Sequence, residues 1–182
     1  MMSDIVDGEQ HRKENLQEYA RLLGDQYYER VSFDEESGGL SAVHKNHRLD
    51  KQLGIYGKKR GEYELEAIDT IRRKGHSIVL IAESTDVGQK QYDGLLDGIP
   101  CEIKAVEKMG RWTVRTKIAN AAKQGANTVV LYFPNESLFS EQRVREGWRD
   151  YCSYAKESDY NSIIKVLCVA GGGIYQIEKP SW

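Results

Sequence analysis

The chain has 182 residues, 40% hydrophobic and 30% charged, which suits one domain with or without a small extension and excludes a wholly disordered protein. No apolar run approaches the roughly 20 residues that cross a bilayer, and the opening residues MMSDIVDGEQ lack the basic and apolar regions of a secretory signal, so no membrane partner and a cytoplasmic location are the default expectations. The net charge of −2 conceals an asymmetry: residues 1–37 carry 10 acidic against 4 basic side chains, and the remainder carries 22 basic against 18 acidic.

In chain order, residues 9–30 read as a polar helix with a narrow apolar stripe of Leu16, Tyr19, Leu22 and Leu23. Asp34 to Gly39 reads as a turn or linker, and the basic, glycine-punctuated residues 40–60 as mostly loop. Residues 1–60 are therefore expected to form an acidic helical N-terminal extension and a basic loop, ahead of a domain over 61–182. A helix is predicted over 62–74, stopped by Gly75 after a basic last turn. Ser77 to Ala82 reads as a buried strand. Strands at 90–96 and 99–106 flank Asp97-Gly98, a strong two-residue hairpin signal. A helix over 113–124, a strand over 127–133, a long helix over about 138–157 and a closing hairpin at 162–170 and 174–178 complete the series. The fold class is α/β (α+β), a mixed central sheet flanked by helices in the approximate order α-αβββαβαββ. Cys101, Cys152 and Cys168 have neither metal spacing nor the pattern of a disulfide framework and read as reduced, mostly buried thiols.

The chemistry concentrates around the hairpin. With Asp97 and Gly98 as the two turn residues, Asp93 faces Glu102 across the strands, and Lys104 shares a strand face with Glu102. Directly opposed carboxylates destabilise a sheet unless a cation lies between them, and hard divalent ions favour carboxylate oxygens. In the preceding helix, Glu64, Ile68 and Ile71 fall on one face, which turns Glu64 toward the sheet and leaves Glu66 to solvent with Asp69 and Arg73. Glu62 suits the helix start.

A helical Glu, an Asp at a hairpin and Glu-x-Lys on the following strand resemble the PD-(D/E)XK nuclease superfamily. Within it the chain resembles the C-terminal tRNA-nuclease domains of contact-dependent growth inhibition (CdiA-type) toxins and their phage and mobile-element homologues. The matching residues are Glu64, Gly75-His76, Asp93-Gly94, Asp97-Gly98, Glu102-Ile103-Lys104 and Ala122-Lys123-Gln124, within a span of about 62–178. Tyr92 stands where the superfamily's name has proline. The resemblance implies a restriction-endonuclease-like fold, with Glu64, Asp93 and Glu102 as metal ligands, Lys104 as a catalytic residue and Gln124 as an accessory one. It further implies a divalent metal, Mg²⁺ first and Mn²⁺ or Zn²⁺ next, and a nucleic-acid substrate, tRNA ahead of DNA. Delivery into another cell and a cognate immunity protein belong to the same implication.

Basic residues outside that constellation form the expected nucleic-acid contacts: Lys45, Arg111, Arg115, Lys117 and Lys123, with His44 and His47 in the basic loop. Trp112 is expected to pack rather than stack on a base, and His76 to mark a strand entry. Two other classes of protein fit the same residues. One is a metal-independent ribonuclease that uses His44 and His47 as acid and base; the other is a non-catalytic module that binds nucleic acid or a partner.

Overall fold

A computed structural model of the chain describes residues 2–89 and 91–181. Its elements are α1 (Met2–Leu23), β1 (Tyr28–Phe33), β2 (Leu40–His44), α2 (Arg60–Arg73), β3 (Ser77–Leu80), β4 (Gly94–Leu96), β5 (Ile99–Ala105), α3 (Thr113–Lys123), β6 (Thr128–Phe133), α4 (Glu141–Tyr154), α5 (Glu157–Tyr160), β7 (Lys165–Ala170) and β8 (Gly173–Ile177). A single 3-10 turn at Glu136–Leu138 precedes α4. From α2 onward the order is the expected one, with the expected long helix divided into α4 and α5. No helix among the described residues is long and apolar enough to cross a membrane.

All eight strands lie in one mixed sheet, in sequence order. The pairs β2–β3, β5–β6 and β6–β7 are parallel, and the others are antiparallel. Each parallel pair is joined through a helical connection, as parallel pairing requires: α2 between β2 and β3, α3 between β5 and β6, α4 with α5 between β6 and β7. The central strands are apolar on both sides and serve two cores. On β6, Val129, Leu131 and Phe133 join Trp148 of α4 and Ile118 of α3, whereas Val130 joins Ile68 and Ile71 of α2. The model thus has an α/β architecture with helices on both faces of a mixed sheet.

The first sixty residues depart from the expected extension and loop. Helix α1 ends at Leu23, and the aromatic, β-favouring stretch from Tyr28 forms a strand instead of continuing the helix to residue 30. Leu40–His44 is a buried strand inside the expected loop, paired on one side with β1 and on the other with β3. The sheet consequently runs without a break across residue 60, and Asp34–Gly39 is the turn of a β1–β2 hairpin. Of the expected α1 stripe, Leu22 and Tyr19 pack on Leu40, Ala42 and Val79. Leu16 and Leu23 are exposed.

Two tight positions set the site's frame. Asp97 and Gly98 both have positive φ, 49° and 80°, the conformation of a type I′ hairpin turn. Gly94 lies so close to β3 that a Cβ there would stand 2.3 Å from the Val79 carbonyl oxygen. Strand β4 is shorter than the expected 90–96, beginning at Gly94; Lys90 lies outside the described residues.

Candidate metal centre

The hairpin register pairs Gly94 with Cys101 and Leu96 with Ile99, so Asp93 and Glu102 occupy the next opposed positions just beyond the β4 ladder. They are tied through each other's strand: Glu102 Oε2 accepts the Asp93 N–H at 3.0 Å, and Asp93 Oδ2 accepts the Ile103 N–H at 2.7 Å. The other Glu102 oxygen, Oε1, lies 2.6 Å from Lys104 Nζ. Glu102 is 5% exposed, so this ammonium is its main charge partner. Burial raises the Glu102 pKa, a shift that the Lys104 charge opposes. Asp93 is pushed up to about 8 by burial, then by the charges of Glu102 and Glu64.

Glu64 arrives from α2. Ile68 and Ile71 are buried as the 64/68/71 stripe requires, and Glu62 Oε2 caps the Lys59 N–H at 2.7 Å. The Glu64 carboxylate reaches His47, with Oε1 2.6 Å from Nε2. Glu66 differs from expectation. Its carboxylate takes the Tyr132 hydroxyl at 2.5 Å and pairs with Lys58, because β6 brings Tyr132 under that side of α2. Asp69 pairs with Arg72 and Arg73 without Glu66, and Arg72 also reaches Asp34.

His47 is the residue that the sequence placed elsewhere. It sits three residues past β2 with only 2% of its side chain exposed, not in a solvated loop against phosphate. Its Nδ1 is 2.9 Å from the Ile81 carbonyl oxygen, which can only accept, so Nδ1 carries a proton and Nε2 faces Glu64. Burial disfavours the imidazolium, but the Glu64 hydrogen bond and charge outweigh it and raise the His47 pKa to about 9. One ligand atom each from His47, Glu64 and Asp93 lies within 4.8 Å of the other two.

The donor chemistry fits a divalent ion. Two carboxylates and an imidazole converge, and a carbonyl second partner holds the imidazole in the tautomer that frees Nε2 for coordination. Glu102, expected as a ligand, is outside this convergent group, with its oxygens committed to the Asp93 N–H and Lys104. A local cue for His47 existed only in hindsight: Nε2 is aimed by the turn after a strand that the sequence did not reveal.

A cavity of about 260 Å³ opens beside the group, lined among others by Glu64, Lys104, Lys117, Arg60 and Tyr132. Lys117 of α3 was expected as an outer phosphate contact; it lies here instead, its pKa lowered by burial and by the Lys104 charge. Gln124 caps α3, and its Oε1 accepts the Gln91 N–H at 3.4 Å, bracing the segment that leads into Asp93. His44 is stacked on Tyr27 and edge-on to Tyr28, and its Nδ1 accepts the Asn46 N–H. Lys45 and Lys123 are exposed. Arg111 and Arg115 both lie over the Trp112 ring. Asp97 turns away from the centre, its carboxylate accepting the Ser77 N–H and pairing with His76 and His11.

No family model matches the chain, and no curated protein matches it. Among solved structures, the CdiA-CT/CdiI toxin and immunity complex from Burkholderia pseudomallei is similar, with a TM-score of 0.49 and 18% identity over 76% of this chain and 98% of that one.

Proposed function

We infer that the chain is a metal-dependent nuclease whose ion is held by His47, Glu64 and Asp93. The convergence of those three ligand atoms within 4.8 Å, with two lysines on the adjoining cavity, is the observation that carries the reading. Mixed imidazole and carboxylate donors suit Mn²⁺ or Zn²⁺ better than Mg²⁺, which favours an all-oxygen shell. When bound, such an ion supplies a polarised phosphate and a water of lowered pKa.

The chain's own residues do the remaining work. Lys104 and Lys117 offset the negative charge that develops on a phosphodiester in the transition state. Glu102 holds the Lys104 ammonium in place, and its hydrogen bond to the Asp93 N–H fixes the start of β4. Gln124 acts at one remove, through the Gln91 backbone. The resemblance in the hairpin motif makes tRNA the first substrate to test, ahead of DNA, and a cognate immunity protein the first protein partner.

The histidine-only alternative is disfavoured by geometry. His47 is buried on a carboxylate, and the His44 ring packs against Tyr27 and Tyr28 with Nδ1 taken by the Asn46 N–H, so the two do not converge as an acid and base on one substrate. Incubation with total tRNA and with plasmid DNA, each with Mg²⁺, Mn²⁺, Zn²⁺ or EDTA, tests the reading. Cleavage is expected with metal alone. Retained cleavage in EDTA would overturn the metal assignment, and absence of turnover on every substrate would overturn the activity.

A further inference from the structure

A second cavity, of about 490 Å³, lies between α3 and the end of α4 and shares no lining residue with the one beside the candidate metal centre. Its size is that of a small-molecule site, and Ala119 and Ala122 give it an apolar side. Tyr151 also lines it. That side chain is 5% exposed, yet its hydroxyl has no hydrogen-bond partner among the described residues. A buried hydroxyl without a partner is costly, and native folds keep few of them. The hydroxyl is closed off from the open space as well, so the chemistry the cavity offers a ligand is that of its rim.

The rim carries an independent feature. The Arg115 guanidinium is 4.2 Å from the Trp112 ring centroid and 5.1 Å from that of Tyr154, and Arg111 is 4.3 Å from Trp112. Cation and ring therefore alternate across Arg111, Trp112, Arg115 and Tyr154. The two rings remain 38% and 74% exposed. Aromatic and guanidinium planes of this kind are the surfaces on which unpaired bases stack, whereas a duplex hides base faces within its own stack. Lys123, at the mouth, adds a second cation beside Arg115, and Asp159 adds an acceptor. The residue after Lys123 is Gln124, which bonds the Gln91 backbone two positions before Asp93. The cavity and the metal centre are thus linked through the last turn of α3.

We propose that this cavity holds one unpaired nucleotide of a nucleic-acid chain. The base stacks against the Arg115–Tyr154 side, and its phosphate lies toward Arg115 and Lys123. The choice of a nucleic acid rests on the nuclease reading, and the surface selects single strands, loops or ends over duplex.

The test is fluorescence anisotropy in EDTA, with labelled ten-nucleotide RNA and DNA oligomers, each single-stranded and annealed. Single strands are expected to bind about tenfold tighter than their duplexes, and Trp112→Ala to weaken single-strand binding by roughly tenfold. Tyr154→Ala is expected to weaken it by about fivefold with the melting temperature little changed, because that ring is 74% exposed on the rim. Equal binding of single strand and duplex, or unchanged affinity in Tyr154→Ala, would overturn the proposal. Binding in the expected pattern without cleavage under any metal would leave the cavity standing and defeat the nuclease reading. Metal-dependent cleavage with wild-type affinity in Tyr154→Ala would do the reverse.

Discussion

His47 and Glu64, seventeen residues apart, meet through a 2.6 Å contact between Nε2 and Oε1, with Ile81 holding the other ring nitrogen. The contact defines what a metal must displace: a proton on Nε2. His47→Gln should therefore remove most of any metal-induced rise in melting temperature. A full-sized rise in that variant, measured by thermal melts with Mn²⁺ and Zn²⁺, would exclude His47 as a ligand.

The same protonation makes stability depend on pH. His47 is raised to about 9 and Asp93 to about 8, so the metal-free fold binds more protons than the unfolded chain. Where the native state holds the extra protons, stability falls as pH rises. The His47 contribution is complete below its unfolded pKa of about 6.5 and is lost through about 9. Ionising the buried Asp93 acts in the same direction up to about 8. Melting temperature without metal should decline from pH 6 to 9, while the increment from added Mn²⁺ grows, since ligation needs deprotonated donors. A flat metal-free profile over that interval would contradict the assignment.

Asp93→Asn should raise the melting temperature of the metal-free protein and abolish both the metal increment and cleavage. The amide oxygen can still accept the Ile103 N–H, while the cost of holding an acid in a buried place beside Glu102 and Glu64, by ionising it or by protonating it, disappears. Asp93→Ala is less clean, because it also leaves the Ile103 N–H without its acceptor. Comparing the two variants by thermal melt separates charge relief from the lost hydrogen bond.

Lys104→Ala should abolish the proposed cleavage yet preserve the metal increment, because an ammonium is not a ligand. It should also cost about 1–3 kcal/mol in denaturant unfolding, since Glu102 loses its charge partner in a buried setting. Lys104→Ala with Glu102→Gln should recover part of that loss without recovering cleavage. Wild-type cleavage in Lys104→Ala would defeat the role given to the pair.

Gly94→Ala should destabilise by about 1–3 kcal/mol through overpacking against β3, because its Cβ would meet the Val79 carbonyl at 2.3 Å. The displacement falls next to Asp93, so the metal increment should shrink as well. Urea unfolding at two metal concentrations reads both effects.

Local chemistry is enough to specify much of this centre. Asp97-Gly98 dictates a tight hairpin, a two-residue turn dictates its register, and the register sets Asp93 opposite Glu102 with Lys104 two positions on. The 64/68/71 spacing likewise turns Glu64 inward, since an α-helix with two buried isoleucines has only one phase. These are short-range consequences of backbone geometry, and a sequence carries them openly.

The third donor was decided elsewhere. Leu40–His44 becomes a strand by pairing in parallel with Ser77–Leu80, across a connection that includes all of α2. Five residues with no turn signature of their own leave that pairing invisible in sequence. Once it forms, the chain after β2 passes the end of β3, where the Ile81 carbonyl and Glu64 hold His47 between them. Glu66 was drawn to Tyr132 in the same way, by a strand 66 residues distant. The amino-acid order determined which carboxylates face inward, because helix phase and hairpin register are local. The tertiary structure alone decided that a histidine joins them, because parallel strand pairing depends on contacts between segments far apart in the chain.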